Sequence, residues 1–215
     1  MSVFDRLAGQ EDVVAQLQAA AAAARQMVAD TAENTSSPAE NGYSGDGDGL
    51  ARAKMTHAWL FTGPPGSGRS ISARCFAAAL QCESAQGPGC GECEVCRAVM
   101  EDRHPDVTVV RPEGLTISVK EIRGIVARAS TFPATGRWQV VIIEDADRLT
   151  EQAGNALLKA VEEPPSHTVF ILCAPSDDPQ DIMLTLRSRT RHIYVRMPST
   201  EAVAQLLERD GASQE

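Results

Sequence analysis

Residues 63–70 read GPPGSGRS and nearly match the phosphate-binding loop pattern G-x-x-x-x-G-K-[ST]. Glycines in such a loop let backbone N–H groups turn toward an anion, and the N-terminus of a following helix adds to the attraction. Arg69 stands in the place of the lysine, and a planar guanidinium does not fit between phosphates as a compact ammonium does. Ser70 keeps the hydroxyl that contacts Mg²⁺ in such loops. The predicted nucleotide-binding residues are Gly63, Pro64, Pro65, Gly66, Ser67, Gly68, Arg69 and Ser70.

Hydrolysis at such a loop also needs an acidic pair at the end of a neighbouring strand. The run VVIIED supplies Glu144 and Asp145, but an active site of this kind usually has Asp first, for Mg²⁺, and Glu second, for the attacking water. Each carboxylate is therefore displaced by one methylene, and a displacement of about 1 Å can lower a rate on the order of 10²-fold. Because Arg69 is altered as well, we predict a loop that still accepts ATP or ADP, with Mg²⁺ only beside a nucleotide, and negligible hydrolysis.

Four cysteines with the spacing C-x7-C-x2-C-x2-C follow the loop, over residues 82–96. Tight C-x2-C turns place thiolates on one side of a loop at tetrahedral separation, so we predict a bound Zn²⁺. The alternative, unrelated thiols or disulfides, is disfavoured in a reducing compartment. No general base lies nearby, which favours a structural metal that replaces a core this small insert cannot build. The predicted ligands are Cys82, Cys90, Cys93 and Cys96, whereas Cys75 and Cys173 are predicted to be core residues.

The elements that must position these residues alternate along the chain. Short apolar runs predict strands, and helical spacing of apolar residues predicts helices between them. Ser118 with Glu121 forms a capping box, Thr150 can cap the next helix, and Pro164-Pro165 ends that helix. The alternation predicts an α/β fold with a five-stranded, mainly parallel sheet covered on both faces. Strands are expected over 58–61, 106–110, 139–143, 168–173 and 192–196, and helices over 11–29, 70–81, 118–130, 150–162 and 199–209.

Composition and charge set the remaining expectations. Hydrophobic residues make up 43% of the 215 residues, and the formal net charge is −9. Residues 30–50 carry five acids without Lys or Arg and little that can be buried, so we predict a flexible acidic loop there. No apolar run is long enough for a membrane span and the N-terminus does not read as a secretory signal, so a cytoplasmic protein is expected. We expect a core domain over 1–196 and the beginning of a helical lid domain over 197–215.

Several runs together resemble the bacterial clamp-loader branch of the AAA+ proteins. They are LAGQEDV near the start, VVIIEDADRL, NALLKAVEEPP over residues 155–165, and TLRSRTRH over residues 185–192. The cysteine insert after the phosphate-loop helix is similar to the zinc module of that branch. Within the branch, the altered loop and acidic pair resemble the delta-prime subunits rather than the hydrolysing gamma/tau subunits.

The resemblance implies an AAA+ P-loop fold and a role in a five-subunit clamp loader of DNA polymerase III. Such a loader, a hetero-pentamer with gamma/tau and delta subunits, opens a sliding clamp and places it on primed DNA. A delta-prime subunit acts mainly as a rigid stator, with poor or absent ATPase, and lends an arginine to the ATP of its neighbour. That arginine corresponds to Arg189, within Ser188-Arg189-Thr190, although the family has Cys at the third position. The family's C-terminal collar domain is missing from this sequence, so a chain truncated before it and monomeric by itself is expected.

Two other interpretations remain open. In the first, the chain is an active clamp-loader ATPase of the gamma/tau kind, with Arg69 in the role of lysine and Asp145 acting through an extra water. In the second, it is a P-loop nucleoside kinase with a zinc ribbon, although no acceptor site is recognisable and NALLKAVEEPP is left without explanation. For Arg189, the alternative to a role in trans is a residue that caps its helix within a solvated basic face.

Overall fold

The structure of the protein is a computed structural model that describes residues 2–34, 55–112 and 114–209. The first helix, α1, covers Glu11–Asn34 and is five residues longer than predicted. Residues 30–34, which were expected to begin the acidic loop, therefore continue the helix, and that part of the prediction is wrong. Their sequence, DTAEN, contains no Gly or Pro that would end a helix. The remainder of the predicted loop lies outside the described residues.

A five-stranded sheet forms the centre of the molecule, with the order β2-β3-β4-β1-β5. All four neighbouring pairs are parallel, which confirms the α/β class predicted from the sequence. Every residue of β1 and β4 is buried, as expected for central strands covered on both faces. The strands are β1 (Ala58–Thr62), β2 (Val107–Val110), β3 (Gln139–Ile143), β4 (Thr168–Ala174) and β5 (Arg191–Tyr194).

Two hydrophobic cores lie on opposite faces of this sheet because successive strand side chains point in opposite directions. Trp59 and Phe61 of β1 face the core that includes α1 and α2, while Ala58 and Leu60 face the core that includes α4 and α5. The helices after α1 are α2 (Arg69–Gln81), α3 (Glu94–Met100), α4 (Val119–Ala129), α5 (Glu151–Glu162), α6 (Leu184–Arg187) and α7 (Thr200–Arg209). None of the described helices combines the length and apolar character needed to cross a membrane.

The predicted helix starts are confirmed at two caps. Ser118 Oγ accepts a hydrogen bond from the Glu121 N–H (3.3 Å), and Glu121 Oε2 accepts one from the Ser118 N–H (2.7 Å), which completes the capping box. Thr150 Oγ accepts from the Ala153 N–H at 3.2 Å. These caps fix α4 and α5, the two helices that flank the acidic pair in sequence.

Two strand ends differ from the predicted ones. Strand β2 begins at Val107, one residue later than predicted, although the Asp106 carbonyl already accepts a hydrogen bond from the Val140 N–H of β3 at 2.9 Å. Strand β5 ends at Tyr194, and the N–H of Arg196 donates to the side chain of Gln10 at 3.2 Å. A backbone group satisfied by a side chain has no need of a neighbouring strand.

Candidate nucleotide site and metal centre

The phosphate loop joins β1 to α2 in the strand–loop–helix order expected of it. Gly66 and Gly68 have φ values of 85° and 93°, in the left-handed region that glycine tolerates best. Within the turn, the Ser67 N–H donates to the Pro64 carbonyl at 3.1 Å, and the Ser72 N–H begins the helix by donating to Gly68 at 2.8 Å. Residues 63–68 thus form a glycine-dependent turn at the N-terminus of a 13-residue helix.

Gly63 lies where the loop passes closest to the rest of the chain. A Cβ atom added there would stand 2.1 Å from the Val195 carbonyl oxygen, so no other residue fits without a shift of the backbone. The Gly63 N–H donates to the Pro175 carbonyl at 3.2 Å, and Met197 lies beside Gly66. The loop is therefore packed against the segments that follow β4 and β5.

Arg69 binds back to the first residue of the loop. Its Nη1 donates to the Gly63 carbonyl at 2.7 Å, which ties the start of α2 to the start of the loop. One residue inside the loop is left without a partner: the hydroxyl of Ser67 is buried and has no hydrogen bond among the described residues. A buried hydroxyl without a hydrogen bond either lowers the stability of the fold or marks the position of a missing ligand.

The acidic pair stands at the end of β3, but its first member is already neutralised. Glu144 is paired with Arg74 (2.7 Å) and with Arg111 (3.2 Å), and 15% of its side chain is exposed. Asp145 follows in the left-handed conformation, with φ 52° and ψ 53°, which is uncommon for a residue other than glycine. The two carboxylates therefore differ in kind: Glu144 is held by arginines, whereas no described residue pairs with the side chain of Asp145.

Arg74 is the residue that connects this pair to the phosphate loop. It lies one turn into α2 and donates to the Ser70 carbonyl at 3.0 Å and to Asp102 at 2.9 Å, in addition to its pair with Glu144. Arg111 also pairs with Asp102, at 2.5 Å. We call Arg74, Asp102, Arg111 and Glu144 the arginine–carboxylate cluster; its two positive and two negative charges balance.

Electrostatics within the cluster favour the charged forms. Burial alone would raise the pKa of Asp102, but hydrogen bonds from Arg74 and Arg111 outweigh it and lower the pKa below its usual value. Sequence reasoning missed both arginines because neither belongs to a phosphate-loop motif. The one available signal was the i, i+4 spacing of Ser70 and Arg74, which places them on one face of a helix.

The cluster makes this acidic pair a poor partner for Mg²⁺. That ion requires near-octahedral oxygen ligands at about 2.0–2.1 Å, whereas Oε2 of Glu144 accepts a hydrogen bond from Arg111 at 3.2 Å and Oε1, without a well-aligned hydrogen bond, lies 2.7 Å from Arg74. In the described ranges, no group of three or more carboxylates lies close enough together to share a metal ion. Glu144, the first member of the pair, therefore does not fit the metal expected of an active phosphate-loop enzyme.

Arg189 lies on the surface, after α6 and before β5. Its Nη1 donates to the Thr185 carbonyl and to Ser188 Oγ, both at 3.3 Å, and its Nη2 pairs with Glu162 at 2.6 Å. Arg189 and Glu162 have 42% and 39% of their side chains exposed. The short helix α6, Leu184–Arg187, precedes Arg189 and ends two residues before it.

The four cysteines of the insert converge at one point. Their sulfur atoms all lie within 4.8 Å of one another, and this is the one group of potential ligands of this kind among the described residues. Four thiolates around a tetrahedral Zn²⁺, with Zn–S bonds of about 2.3 Å, need a comparable separation. The donor set therefore fits a zinc ion, which would supply a structural cross-link between Cys82 at the end of α2 and Cys96 within α3.

Backbone N–H groups point at the sulfurs of this module. Cys93 N–H donates to Cys90 Sγ, and Cys96 N–H donates to Cys93 Sγ, both at 3.4 Å. Burial would raise the pKa of the Cys90 thiol, but N–H donation from Cys93 and Glu92 outweighs it and lowers the pKa to about 6. Burial raises the pKa of Cys93 and of Cys96. Metal binding must therefore displace protons, which makes zinc affinity fall with falling pH.

The other two cysteines are core residues, as predicted. Cys75 and Cys173 are buried, and burial raises the pKa of each thiol to about 12. Sequence reasoning missed the short helix α3, in which Cys93 is the N-cap and accepts from the Cys96 N–H. The C-x2-C spacing suggested a loop, whereas the last two cysteines lie on a helical turn.

Comparison with known proteins gives the family. Residues 48–199 match the family model for the DNA polymerase III delta subunit. This chain belongs to the DNA polymerase III delta-subunit family of clamp-loader subunits. The match covers β1 to β5 and all the site residues described above.

Curated relatives of this clamp-loader family member include two kinds of subunit. The DNA polymerase III subunit gamma/tau of Mycobacterium bovis is 37% identical over 164 residues, which is 74% of this chain and 28% of the relative. The subunit delta' of Pseudomonas aeruginosa is 35% identical over 161 residues, 74% of this chain and 48% of the relative. The chain thus spans less than half the length of these relatives, and their names alone do not separate the two kinds.

A solved structure gives the same fold. The DNA polymerase III gamma subunit-related protein of Thermotoga maritima superposes with a TM-score of 0.52 at 25% identity, covering 72% of this chain and 50% of that one. Together with the strand order and the phosphate loop after β1, this confirms the AAA+ P-loop fold predicted from the sequence.

Proposed function

We propose that this chain is the AAA+ part of a delta-prime-type subunit of the DNA polymerase III clamp loader. In that role it serves as a stator beside gamma/tau and delta subunits, and the assembly loads a sliding clamp onto primed DNA. The observation that carries the proposal is the arginine–carboxylate cluster, since Arg74 and Arg111 neutralise the carboxylate of Glu144. A hydrolysing subunit would need that carboxylate.

The phosphate loop is proposed to hold a nucleotide weakly, through Gly63, Pro64, Pro65, Gly66, Ser67, Gly68, Arg69 and Ser70. The positive φ values of Gly66 and Gly68 and the unpaired hydroxyl of Ser67 support a site for an anion. Hydrolysis is expected to be negligible because Arg69 is bound to Gly63 and Glu144 to arginines. The loop then acts as a binding and folding element, without chemistry of its own.

Arg189 is proposed to act in trans on the nucleotide of the adjacent subunit. Its ion pair with Glu162 is exposed on both sides, and such pairs contribute only about 0–1 kcal/mol. Breaking that pair to meet a phosphate therefore costs little. A guanidinium that meets a transferring phosphoryl group accelerates the reaction on the order of 10³-fold or more in related nucleotide hydrolases.

The four cysteines Cys82, Cys90, Cys93 and Cys96 are proposed to hold one structural Zn²⁺. Their sulfurs lie within 4.8 Å of one another, and all four cysteines pack in or against the core that contains α1 and α2. The metal would hold α3 against α2, within the core that also contains α1.

The second candidate function is an active ATPase of the gamma/tau kind. It is favoured by one observation: a gamma/tau relative is 37% identical, slightly more than the 35% of the delta' relative. In this alternative Asp145, whose side chain has no described partner, would act alone.

ATP turnover by the purified chain, with and without Mg²⁺, separates the two candidates. The stator proposal expects no phosphate release above that of a chain with the loop disabled by Gly63→Val. This substitution would place side-chain atoms against the Val195 carbonyl and distort the loop. Turnover near about 1 s⁻¹, at the low end of ordinary enzyme rates, would establish the ATPase alternative instead.

A further inference from the structure

The arginine–carboxylate cluster has a consequence for what the phosphate loop binds. In an active loop of this fold, a divalent cation offsets the negative charge of the acidic pair and of the phosphates. Here the charge of Glu144 is offset by protein groups: Arg74 at 2.7 Å and Arg111 at 3.2 Å. The cluster is neutral as a whole, so Glu144 neither recruits a cation nor repels an approaching phosphate.

Three partners hold the guanidinium of Arg74, so its positive charge has a fixed position. It donates to Ser70 in the loop helix and to Asp102, and it pairs with Glu144 at the end of β3. Only 12% of its side chain is exposed. A cation that took Glu144 as a ligand would have to displace this half-buried guanidinium and leave it without one of its partners, which is unfavourable.

Positive charge for a phosphate remains available in the loop itself. Arg69 makes one hydrogen bond among the described residues, to the Gly63 carbonyl through Nη1. A guanidinium has five N–H donors, so the others stay free for an anion. The backbone turn at Gly66 and Gly68 and the N-terminus of α2 add partial positive charge.

We propose that the phosphate loop takes a nucleoside diphosphate or triphosphate as the free anion, without a divalent cation, and that Arg74 is the positioning residue that excludes the metal. This rests on the proposed nucleotide binding at the loop and names the form of its ligand. It also assigns a role to Arg74 and Arg111, which lie outside the loop motif.

The test compares the affinity of the chain for ADP in excess Mg²⁺ with that in EDTA, by titration calorimetry. The unaltered chain is expected to bind ADP at least as tightly in EDTA as in Mg²⁺. Arg74→Ala removes the nearer of the two guanidinium partners of Glu144 and is expected to bind ADP about tenfold more tightly with Mg²⁺ than without it, the size of effect that supporting groups have on metal affinity. The relaxation rate of water protons in the presence of Mn²⁺ gives a second readout. It should show metal bound to the ADP complex of Arg74→Ala and no metal bound to the ADP complex of the unaltered chain.

Two further variants keep the result interpretable. Arg111→Ala removes the other, more exposed partner of Glu144 and is expected to gain a smaller dependence on Mg²⁺ with its fold intact. Arg103→Ala is the matched control, because the Arg103 side chain pairs with the exposed Glu101 and makes no described ion pair with the cluster. It should behave as the unaltered chain does.

Three results would overturn the inference: tighter ADP binding in Mg²⁺ by the unaltered chain, no ADP binding in EDTA, or the same dependence on Mg²⁺ in the arginine variants as in the unaltered chain. None of these touches the stator role, which is measured separately as clamp loading by the assembled loader. Conversely, if the assembled loader loads clamps without this chain, the stator role is wrong. The result for metal-free ADP binding is unaffected by that outcome.

Discussion

At the scale of single residues, the decisive contrast is between Arg69 and Arg74. The sequence indicates that Arg69 departs from the loop motif, and the structure shows it bound to the Gly63 carbonyl. Arg74 carries no motif, yet it connects the loop helix to the acidic pair. We propose that the missing lysine and the added arginine are two separate obstacles to hydrolysis.

Restoring the lysine should therefore not restore an enzyme. In Arg69→Lys the loop motif is complete, but Glu144 still faces Arg74 and Arg111. We expect ATP turnover to stay far below about 1 s⁻¹, as measured by phosphate release in Mg²⁺. Fast turnover by this single variant would mean that Arg69 alone had silenced the site.

The buried carboxylate of Asp106 is expected to stabilise the fold, and its lowered pKa predicts how that stabilisation depends on pH. Its carboxylate is buried and accepts N–H groups from the loop before β3, including Ala134 at 2.6 Å and Gly136 at 2.6 Å. Burial would raise the pKa of Asp106, but these donors outweigh it and lower the pKa. Asp106→Asn should lower the free energy of unfolding by about 2–4 kcal/mol near neutral pH, since hydrogen bonds to charged groups contribute about 1.5–3 kcal/mol each.

The sign of the pH dependence follows from the lowered pKa. The stabilisation by Asp106 is fully present above its unfolded pKa, about 3.9, and is lost as the pH falls through the lower folded value. The difference in unfolding free energy between the unaltered chain and Asp106→Asn, from urea titrations, should therefore shrink in acid. Glu101→Gln is the control, because its exposed pair with Arg103 should matter by less than about 1 kcal/mol. A difference that does not change with pH would contradict this account.

At the scale of elements, the zinc module is tied to the start of the chain. The Val3 N–H donates to the Gly89 carbonyl at 2.9 Å, and a Cβ on Gly89 would lie 2.8 Å from the Val3 side chain. The N-terminal 3-10 turn, Val3–Arg6, thus packs on the loop that carries Cys90. Loss of the metal should therefore destabilise the N-terminal 3-10 turn together with the loop that carries Cys90.

Cys93→Ser is predicted to remove the metal and to lower the free energy of unfolding by about 3 kcal/mol or more, because bound structural zinc contributes directly to folding. For a domain of this size that loss corresponds to a fall of roughly 6–12 °C in the thermal midpoint. Metal analysis of the purified protein should give one zinc per unaltered chain. The control, Cys173→Ala, removes a core thiol in β4 and should retain the zinc. Metal content near zero in the unaltered chain would refute the zinc site.

How much of the fold was predictable depends on the kind of interaction that fixes each element. Buried parallel strands are continuous apolar runs, so β3 was predicted residue by residue from QVVII. Capping boxes are local, so the start of α4 was predicted from Ser118 and Glu121. Helix α3 and the end of β5 were not, because a cysteine cap and the distant Gln10 side chain determine them.

The candidate site also has parts that the sequence predicts and parts that it does not. The positions of the phosphate loop and the cysteine cluster follow from spacing along the chain, which a sequence displays directly. The pairing of Glu144 with Arg74 and Arg111 joins residues 70 and 33 positions apart, and no pattern in the sequence announces it. Long-range ion pairs of this kind require the sheet order before they can be foreseen.

At the scale of the whole molecule, we propose a subunit that contributes to an assembly and performs no hydrolysis of its own. The phosphate loop packs against the segments that follow β4 and β5. The arginines of the arginine–carboxylate cluster pair with the carboxylate of Glu144, which hydrolysis at the loop would need. Arg189, by contrast, is exposed and weakly held. A guanidinium presented at the surface in this way suits a stator that acts on the nucleotide of a neighbour.

The most direct test of that claim is clamp- and DNA-stimulated ATP hydrolysis by a reconstituted loader containing the full-length subunit. Arg189→Ala should leave folding, zinc content and assembly intact and lower the stimulated rate, by as much as about 10³-fold at the one affected nucleotide site. Glu162→Gln is the matched control, because it removes the same ion pair but retains the guanidinium, and it should leave the rate unchanged. If Arg189→Ala hydrolyses ATP and loads clamps as the unaltered loader does, Arg189 is a surface residue and the role in trans is wrong.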